Sequence, residues 1–310
     1  MIKKLTCILL ALLAFCLAFG SCETENGNFS ESDALESHSF ETERGDLYES
    51  DATETTKEVK MEKFSVMSFN VWVGEVTDER IERVVTMIRR YSPDTFGVQE
   101  ASAVWMKELS KAFPDYAYVG ESRDGKGTPG ETSAVFYKKD KFKLIDGGTK
   151  WLSDTPEVEG SKYSAAAFPR VMSYALLENK ADGVRFFHVN THLDHMNLLI
   201  MKKQTEVLMN EISKLPDHPV ILTGDFNCVP RSIPYNLVVT SFEDSSAVAR
   251  KADVGSTFHG NENIDKVIDF IFFEAEGGFE VESYKVCDEK INGKFVSDHH
   301  PVYAEYVITK

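Results

Sequence analysis

Positive charge is scarce in this chain of 310 residues. It has 34 Lys and Arg side chains against 50 Asp and Glu, which leaves a formal net charge of −16 at pH 7. Proteins that hold duplex DNA without regard to sequence gain affinity from Lys and Arg side chains that replace the counterions of the phosphates. The composition therefore disfavours a DNA-clamping protein, although it still permits a phosphate-bearing substrate that a metal ion bridges to the protein.

Cysteine is also rare, with five residues in the whole chain. Cys7 and Cys16 lie in the apolar N-terminal segment, and the chain shows no Cys-rich zinc pattern. Cys228 and Cys287 remain for the folded region. A large domain does not need a disulfide, so we expect free buried thiols, although an oxidising compartment would permit a bridge between them.

The apolar run at the N-terminus, residues 5–19, is too short to cross a membrane, because a hydrocarbon core needs about 20 apolar residues in a helix. Two lysines precede it, and Gly20 and Ser21 follow it directly before Cys22, as in a secretory signal peptide. Small residues before a cysteine resemble the lipobox of bacterial lipoproteins, where the cysteine becomes lipidated. The pattern predicts a signal peptide over residues 1–21, export, and a lipid anchor at Cys22 to a membrane of the cell envelope. Plain secretion with an unmodified Cys22 is the alternative.

Residues 22–60 have the composition of a solvated tether. Residues 23–60 carry twelve acidic side chains against Arg44, Lys57 and Lys60, and few large apolar groups. Such a segment cannot bury enough surface to fold, and as a flexible chain it would span about 35 Å. A surface-export signal next to Cys22 is the weaker explanation of the acidic run. We therefore expect one folded domain, residues 61–310.

Within that domain, short apolar strands alternate with a few amphipathic helices, and no repeat of fixed period is present. The apolar runs predict ten strands, over residues 64–70, 95–99, 116–120, 133–137, 171–177, 186–191, 220–223, 267–273, 281–286 and 302–307. Three helices are predicted: one capped by Asp78 and stopped by Pro93, one that presents Trp105 and Leu109, and one over about residues 198–215. So many strands imply two sheets, with the helices outside, and hence a layered α/β sandwich.

Two tracts late in the chain join an apolar strand to groups that bind cations. Gly224-Asp225-Phe226-Asn227 follows the strand at 220–223, and Ser297-Asp298-His299 lies near the end of the chain. Hard divalent cations prefer oxygen ligands held on rigid elements. With Asn70 and Glu100 upstream, the tracts resemble the endonuclease/exonuclease/phosphatase superfamily, the deoxyribonuclease-like metal phosphoesterases, over residues 61–310. The resemblance implies a four-layer α/β sandwich, in which helices flank two packed, mostly antiparallel β-sheets.

Glu100 is the strongest candidate for a metal ligand. It ends an apolar strand, where a carboxylate is costly to bury unless a cation or a donor meets it; a structural salt bridge or a helix cap is the other explanation. The resemblance implies that Glu100 is the principal ligand of Mg²⁺ or Mn²⁺, with Asn70 beside it and Asp298 as a further ligand. It also gives Asp225 the task of orienting the attacking water or a metal, and Asn227 that of donating to the phosphate.

Two imidazoles are the candidates for acid–base chemistry. An imidazole can accept a proton from water or, once charged, stabilise a pentacovalent phosphorus transition state. The resemblance pairs His299 with Asp269, and pairs His192 with Glu131, so that one imidazole serves the attack and the other the leaving group. A satisfied core histidine is the other explanation for His192. His300 matches no catalytic position and is expected to be structural or at the rim.

Arg170 precedes a predicted strand and could hold a phosphate oxygen with two nitrogens of its guanidinium. A surface salt bridge explains Arg170 nearly as well. His259, Asp194 and His195 are candidates for the rim of the site, and the sequence assigns them no role.

These residues predict a lipid-anchored, Mg²⁺-dependent monomer that hydrolyses a phosphodiester or phosphomonoester by in-line attack of water. The substrate stays open between nucleic acid, a lipid headgroup and a sugar or inositol phosphate. A sphingomyelinase-like lipid phosphodiesterase is one alternative, which would gain from an exposed aromatic hairpin that the sequence does not show. A surface binding protein that keeps the fold without the chemistry is the other, and the presence of every candidate ligand and imidazole disfavours it.

Overall fold

The structure, a computed structural model, describes residues 63–260 and 264–308. All of these belong to one compact unit, Lys57–Lys310. The predicted signal peptide, the anchor residue Cys22 and the tether lie outside the described residues and stay predictions. Within the described ranges, no helix combines the length and the apolar character that a bilayer crossing requires.

The described residues form thirteen strands and five helices. The strands are β1 (Lys63–Asn70), β2 (Thr95–Ala101), β3 (Tyr116–Val119), β4 (Thr132–Lys138), β5 (Phe142–Trp151), β6 (Val171–Asn179), β7 (Arg185–His192), β8 (Val220–Asp225), β9 (Phe242–Asp244), β10 (Lys251–Asp253), β11 (Asp269–Glu274), β12 (Phe279–Val286) and β13 (Val302–Ile308). The helices are α1 (Asp78–Tyr91), α2 (Ala103–Ala112), α3 (Leu198–Ser213), α4 (Ile233–Val238) and α5 (Ser245–Val248).

The strands build two mixed sheets. One has seven strands in the order β10-β12-β13-β1-β2-β4-β3, and the other has six in the order β5-β6-β7-β8-β11-β9. Eight neighbouring pairs are antiparallel, whereas β1 with β2, β7 with β8 and β10 with β12 are parallel. The predicted pair of mostly antiparallel sheets is confirmed.

Three apolar clusters give the sandwich its four layers. One joins α1 and α2 to the outer face of β1, β2 and β4. A second lies between the sheets, where Val66 and Ala304 of one sheet meet Ile221 and Ile271 of the other. The third joins α3 to the outer face of β7 and β8. Each sheet is thus covered on both faces, which is why its strands read as continuous apolar runs.

Helix α1 shows how local signals set the element bounds. Its N-cap is Thr77, whose side chain accepts from the backbone N–H of Arg80, so the predicted cap at Asp78 is wrong by one residue. Asp78 instead occupies the first turn, where a negative charge interacts favourably with the helix dipole. The helix ends at Tyr91. Its C-cap Ser92 has a φ of 43°, and Pro93, the next residue, cannot continue the helix.

The ten predicted strands are present, with bounds that differ by a few residues, and three further strands escaped prediction. Strand β5 has ten residues but its exposed and buried positions do not alternate, because its register with β6 shifts between Leu144 and Asp146. Strands β9 and β10 have three residues each, too few for any periodicity to appear. Cys228 and Cys287 are free and buried, as predicted.

Candidate active site

The ends of six strands meet at one edge of the sandwich. Strands β1 and β2, and likewise β7 and β8, run parallel, so their carboxyl ends point the same way. Strand β11 runs antiparallel to β8, which places Asp269 directly opposite Asp225. Strand β13 runs antiparallel to β1, so His299, just before β13, returns to the same edge. The topology therefore brings predicted site residues from distant parts of the chain together.

The carboxylate of Asp225 lies at the centre of this group. Its Oδ2 accepts a hydrogen bond of 2.9 Å from Asn70 Nδ2, which also donates to Glu100 Oε1 at 3.1 Å. The Nε2 atoms of His192 and His299 lie 3.5 and 3.7 Å from the same Oδ2. Asn70, Asp225 and both imidazoles are buried. A single carboxylate oxygen thus contacts or faces residues from both sheets.

Gly224 allows strands β7 and β8 to approach closely enough for this arrangement. A Cβ at this position would lie 2.5 Å from the carbonyl oxygen of Thr191, which is too close for a side chain. The glycine in the Gly-Asp-Phe-Asn tract therefore permits the close packing of β7 and β8 that places Asp225 in the site.

Two site residues have a backbone conformation that only glycine adopts readily. Glu100 has φ of 57° and Asn227 has φ of 50°, and a non-glycine residue there costs about 1–3 kcal/mol. The ladder between β2 and β4 is irregular at Glu100, and Glu100 Oε2 accepts from the N–H of Val73 at 2.8 Å. Asn227 is held by Asp225 Oδ1, which accepts from its N–H at 2.9 Å, and by its own donation to the carbonyl of Leu193 at 3.0 Å. Side-chain hydrogen bonds therefore fix two strained positions at the site.

Of the two imidazoles, His299 lies closer to a carboxylate. Its Nδ1 lies 2.9 Å from Asp269 Oδ2. Burial alone would lower the pKa of His299, but the carboxylates of Asp269 and Asp225 raise it to about 10. Burial and the neighbouring Asp269 raise the pKa of Asp225 to about 7. The imidazole is therefore positively charged at neutral pH, and Asp225 is poised to take up a proton.

His192 behaves differently from His299. Burial lowers its pKa well below 6.5, and the nearby charges of Arg170 and Arg123 lower it further, so the ring is neutral. Among the described residues, Glu131 does not bond to His192. It instead accepts from Arg123 Nη1 at 2.7 Å, and Asp225 is the carboxylate that faces His192. The expected pairing of His192 with Glu131 is corrected accordingly.

Two buried arginines line the site, and only Arg170 was predicted from the sequence. Arg170 is 3% exposed, and within the described part of the chain its Nε and Nη1 have no partner, while Nη2 lies 3.3 Å from Nδ1 of His195. The guanidinium of Arg123 stacks 4.4 Å above the ring of Phe168. Arg123 lies in a loop before β4, where neither a strand nor a motif marks it, so sequence reasoning missed it. Unpartnered N–H groups on a buried guanidinium are costly, which suits Arg170 to an anion.

These side chains line a cleft of about 680 Å³. Its lining includes Trp72, Glu100, Arg123, Glu131, Phe168, Arg170, His192, His195, Leu198, Asp225, Asn227, Lys266, Asp298 and His299. Asn70 and Asp269 lie buried behind it. The cleft thus gathers almost all of the predicted site residues.

The predicted rim residues divide. His195 lines the cleft. Asp194 is fully buried and accepts from the N–H groups of Ala167 and Met196, so it holds a loop and is not at the rim. His259 Nε2 bonds the carbonyl of Ser297 at 2.9 Å. The ring of His300 packs 4.6 Å from that of His259, away from the cleft lining, in agreement with a structural role.

The residues present fit a hard divalent cation. Ligand atoms of Glu100, His192 and Asp225 lie within 4.8 Å of one another, and the ring of His192 is neutral, as a ligand to a metal must be. Burial raises the pKa of Asp298, the charge of His299 lowers it and the nearby Glu100 raises it, so a cation between Asp298 and Glu100 would relieve their mutual repulsion. Carboxylate oxygens are the ligands that Mg²⁺ and Mn²⁺ prefer. In this structure Asn70 turns its amide nitrogen towards Glu100, while its Oδ1 accepts from the N–H of Trp72.

Comparison with known proteins points to the same chemistry. Residues 67–299 match the model of the Endonuclease/Exonuclease/phosphatase family. A solved structure of an endonuclease/exonuclease/phosphatase family protein from Bacteroides thetaiotaomicron has a TM-score of 0.76 and 28% identity, and the match covers 81% of this chain and 100% of that chain. A mannosyl-6-phosphatase from Bacteroides thetaiotaomicron has a TM-score of 0.72 and 30% identity, and the match covers 79% and 100% of the two chains.

Similarity extends to a nuclease. The CCR4-Not complex 3′-5′-exoribonuclease subunit Ccr4 of Mycosarcoma maydis is 25% identical over an alignment of 244 residues, gaps included, and the match covers 58% of this chain and 36% of that protein. Similar proteins therefore include both a phosphatase and a nuclease.

Proposed function

The chain belongs to the endonuclease/exonuclease/phosphatase family and is a phosphoester hydrolase, and on that premise we propose that it is an Mg²⁺- or Mn²⁺-dependent enzyme for phosphate monoesters at the cell envelope. One observation carries the proposal: Asp225 Oδ2 faces Asn70 and both imidazoles, while His299 is paired with Asp269. Such a group supplies a base, a positive charge and donors around one point of the cleft.

Glu100 would hold the metal, with Asp298 and Asn70 beside it. When bound, the cation would polarise the phosphate and neutralise developing charge, which contributes several kcal/mol. The strained φ of Glu100 is then explained as the cost of directing its carboxylate to this point.

Asp225 is the candidate to orient the attacking water and accept its proton. Its pKa of about 7 lies near neutral pH, where a general base works best. His299 keeps its proton, because its pKa is about 10, and its charge would stabilise the negative transition state. Of the two tasks that the sequence allowed for His299, electrostatic stabilisation is the one that this geometry favours.

His192 would act on the leaving-group side. A neutral imidazole can donate an N–H to a phosphate or leaving-group oxygen, and the negative charge of a bound phosphate would raise its pKa. Arg170, with two unpartnered nitrogens, and Arg123 would bind the non-bridging oxygens. Two guanidiniums suit the double charge of a phosphomonoester better than the single charge of a diester, which agrees with the similarity to a mannosyl-6-phosphatase.

A panel of substrates tests the proposal. With Mg²⁺, we expect phosphate release from sugar phosphates to exceed turnover of bis(4-nitrophenyl) phosphate, RNA and single-stranded DNA. Glu100→Gln and Asp225→Asn should each lower kcat by about two orders of magnitude or more, whereas Glu243→Gln, at an exposed position on β9, should leave kcat unchanged. Hydrolysis that survives both cleft substitutions would contradict this assignment of the site.

A lipid phosphodiesterase is the second candidate. Met196, Leu198 and Leu199 are exposed at the start of α3, and Leu198 also lines the cleft. Such side chains could contact a lipid surface. Vesicles of sphingomyelin belong in the panel for this reason, and release of phosphocholine faster than any sugar phosphate is cleaved would favour this candidate.

Location at the envelope rests on Lys3, Lys4, the short apolar run and Cys22. We expect the protein to partition with membranes and to take up label from a fatty-acid precursor. Cys22→Ala should lose the label, while the purified domain keeps its activity because the site lies within residues 63–308. A Cys22→Ala protein that is still acylated would show that the segment is not a lipoprotein signal.

A further inference from the structure

A second cavity, of about 340 Å³, lies beside the catalytic cleft. The two cavities share Trp72 and Asp298 in their linings. The smaller one is lined by four basic side chains, Arg80, Arg83, Lys290 and Lys294. Such a concentration of positive charge is unusual in a chain whose net charge is −16. We call this cavity, with its four basic side chains, the basic pocket.

Arg80 lines the basic pocket, but its guanidinium hydrogen bonds are already made within the protein. Its guanidinium donates to the carbonyl oxygens of Val71 and Trp72 at 2.7 and 2.8 Å, and to that of Glu75, and it lies 4.6 Å from the ring of Trp72. These bonds fix the loop after β1. The other cations that line the basic pocket are Arg83, Lys290 and Lys294.

Arg83 is the deepest of these three cations. It is 8% exposed, and within residues 63–260 and 264–308 its buried Nε has no hydrogen-bond partner. Its Nη1 lies 3.8 Å from Glu79 Oε2, which Lys294 Nζ also approaches at 3.3 Å. One exposed carboxylate is therefore shared between two cations, as a ligand anion would be.

A tight turn holds the two lysines in place. Asn292 and Gly293 have φ of 51° and 74°, and Ile291 and Lys294 exchange backbone hydrogen bonds of 2.9 and 3.1 Å. Positive φ at both central residues is typical of a two-residue Asn-Gly hairpin turn. Lys290 lies 4.3 Å over the ring of Phe295, across the same turn. The backbone is thus pre-organised, and little order has to be gained when an anion binds.

We propose that the basic pocket binds a second phosphoryl group of the substrate, so that the enzyme prefers small molecules that carry two phosphates. The catalytic cleft would take the scissile phosphate, and the proposal rests on the proposed function to that extent. Three cations around one cavity suit a single dianion. A long nucleic acid would instead need a basic track, which the acidic composition disfavours.

Binding of phosphonates separates this proposal from the proposed function, because the C–P bond resists a phosphoesterase. Calorimetric titration in Mg²⁺ would compare alkane bisphosphonates of increasing length with the matching monophosphonates. We expect the bisphosphonate that spans both cavities to bind roughly tenfold more tightly than its monophosphonate. Lys290→Gln with Lys294→Gln should remove this advantage and leave monophosphonate binding unchanged. The control pair Lys143→Gln with Lys251→Gln, exposed lysines outside both cavities, should keep it.

Glu79→Gln provides a test of opposite sign. Since Glu79 occupies two of the cations, its neutralisation should strengthen bisphosphonate binding several-fold, which a merely structural role would not do. Equal affinity for bisphosphonates and monophosphonates of every length would overturn the second site while leaving the catalytic cleft intact. If the monophosphonates did not bind at all, that result would count against phosphate binding in the catalytic cleft instead. A single-stranded oligonucleotide that loses more affinity than the bisphosphonate in the double lysine variant would overturn the preference for small molecules.

Discussion

Replacing His299 by alanine should lower kcat by about two to four orders of magnitude. The imidazole lies 2.9 Å from Asp269 and 3.7 Å from Asp225, and its pKa of about 10 keeps it charged at neutral pH. The variant therefore loses a full positive charge beside the transition state. The expected loss corresponds to about 3–5 kcal/mol of transition-state stabilisation.

The same substitution should lower the free energy of unfolding. Without the imidazolium, the buried carboxylates of Asp225 and Asp269, which lie opposite each other in β8 and β11, have lost their counter-charge, and breaking a buried pair costs about 3–5 kcal/mol. The pH dependence has a definite sign. Because the pKa rises from 6.5 to about 10 on folding, the contribution of His299 to stability is complete below pH 6.5 and is lost as the pH rises through 10.

The assay must separate these two effects. Steady-state kcat and urea unfolding would be measured for His299→Ala, for Asp269→Asn and for the double variant. Removing both partners should restore much of the stability without restoring kcat, because the charge at the reaction centre is still missing. His300→Ala, in the next residue, is the matched control and should change kcat by less than about tenfold, because His300 does not line the cleft. A His299→Ala enzyme that keeps kcat, or a larger loss in His300→Ala, would refute this account.

Three further predictions follow from the site and its supports. EDTA should abolish hydrolysis and Mg²⁺ or Mn²⁺ should restore it, and full activity in metal-free buffer would contradict the metal assignment. Gly97→Ala should cost about 1–3 kcal/mol of unfolding free energy, measured in urea, because its Cβ would lie 2.3 Å from Asn190 Oδ1 between the sheets; an unchanged midpoint would oppose this. Asp94→Asn should cost about 1.5–3 kcal/mol, since Asp94 accepts from Lys138 and Lys141 at 3.0 and 2.7 Å. Burial alone would raise the pKa of Asp94, but the hydrogen bonds from Lys141 and Lys138 lower it below its usual value. The difference in unfolding free energy between wild type and Asp94→Asn should therefore vanish as the pH falls through that lowered pKa.

Much of the architecture follows from the sequence because its strands are buried on both faces. Nearly continuous apolar runs marked ten strands, and the strand ends at Asn70, Glu100 and Asp225 carried the polar groups that belong to the site. The edge strand β5 escaped because its exposed, bulged backbone leaves no apolar period. A strand is recognised in the sequence by apolar residues at its buried positions, and few positions of β5 are buried.

The partners within the site were decided by tertiary structure. The resemblance implied that Glu131 orients His192, yet Glu131 forms a salt bridge of 2.7 Å with Arg123. Arg123 lies in a loop, where no sequence pattern predicts its partner. The charge states were likewise invisible in the sequence: His192 and His299 are chemically identical, but two carboxylates raise the pKa of one ring while burial and two arginines lower that of the other.

Residue type and order along the chain determined which groups this protein brings to phosphate chemistry, because strand ends and turns are local features. Which of those groups touch depends on strand order, on register and on the close approach that Gly97 and Gly224 allow. Those distances, together with the burial of each group, set which groups are protonated. For that reason the chemistry of the cleft and the second, basic pocket became visible only in the folded chain.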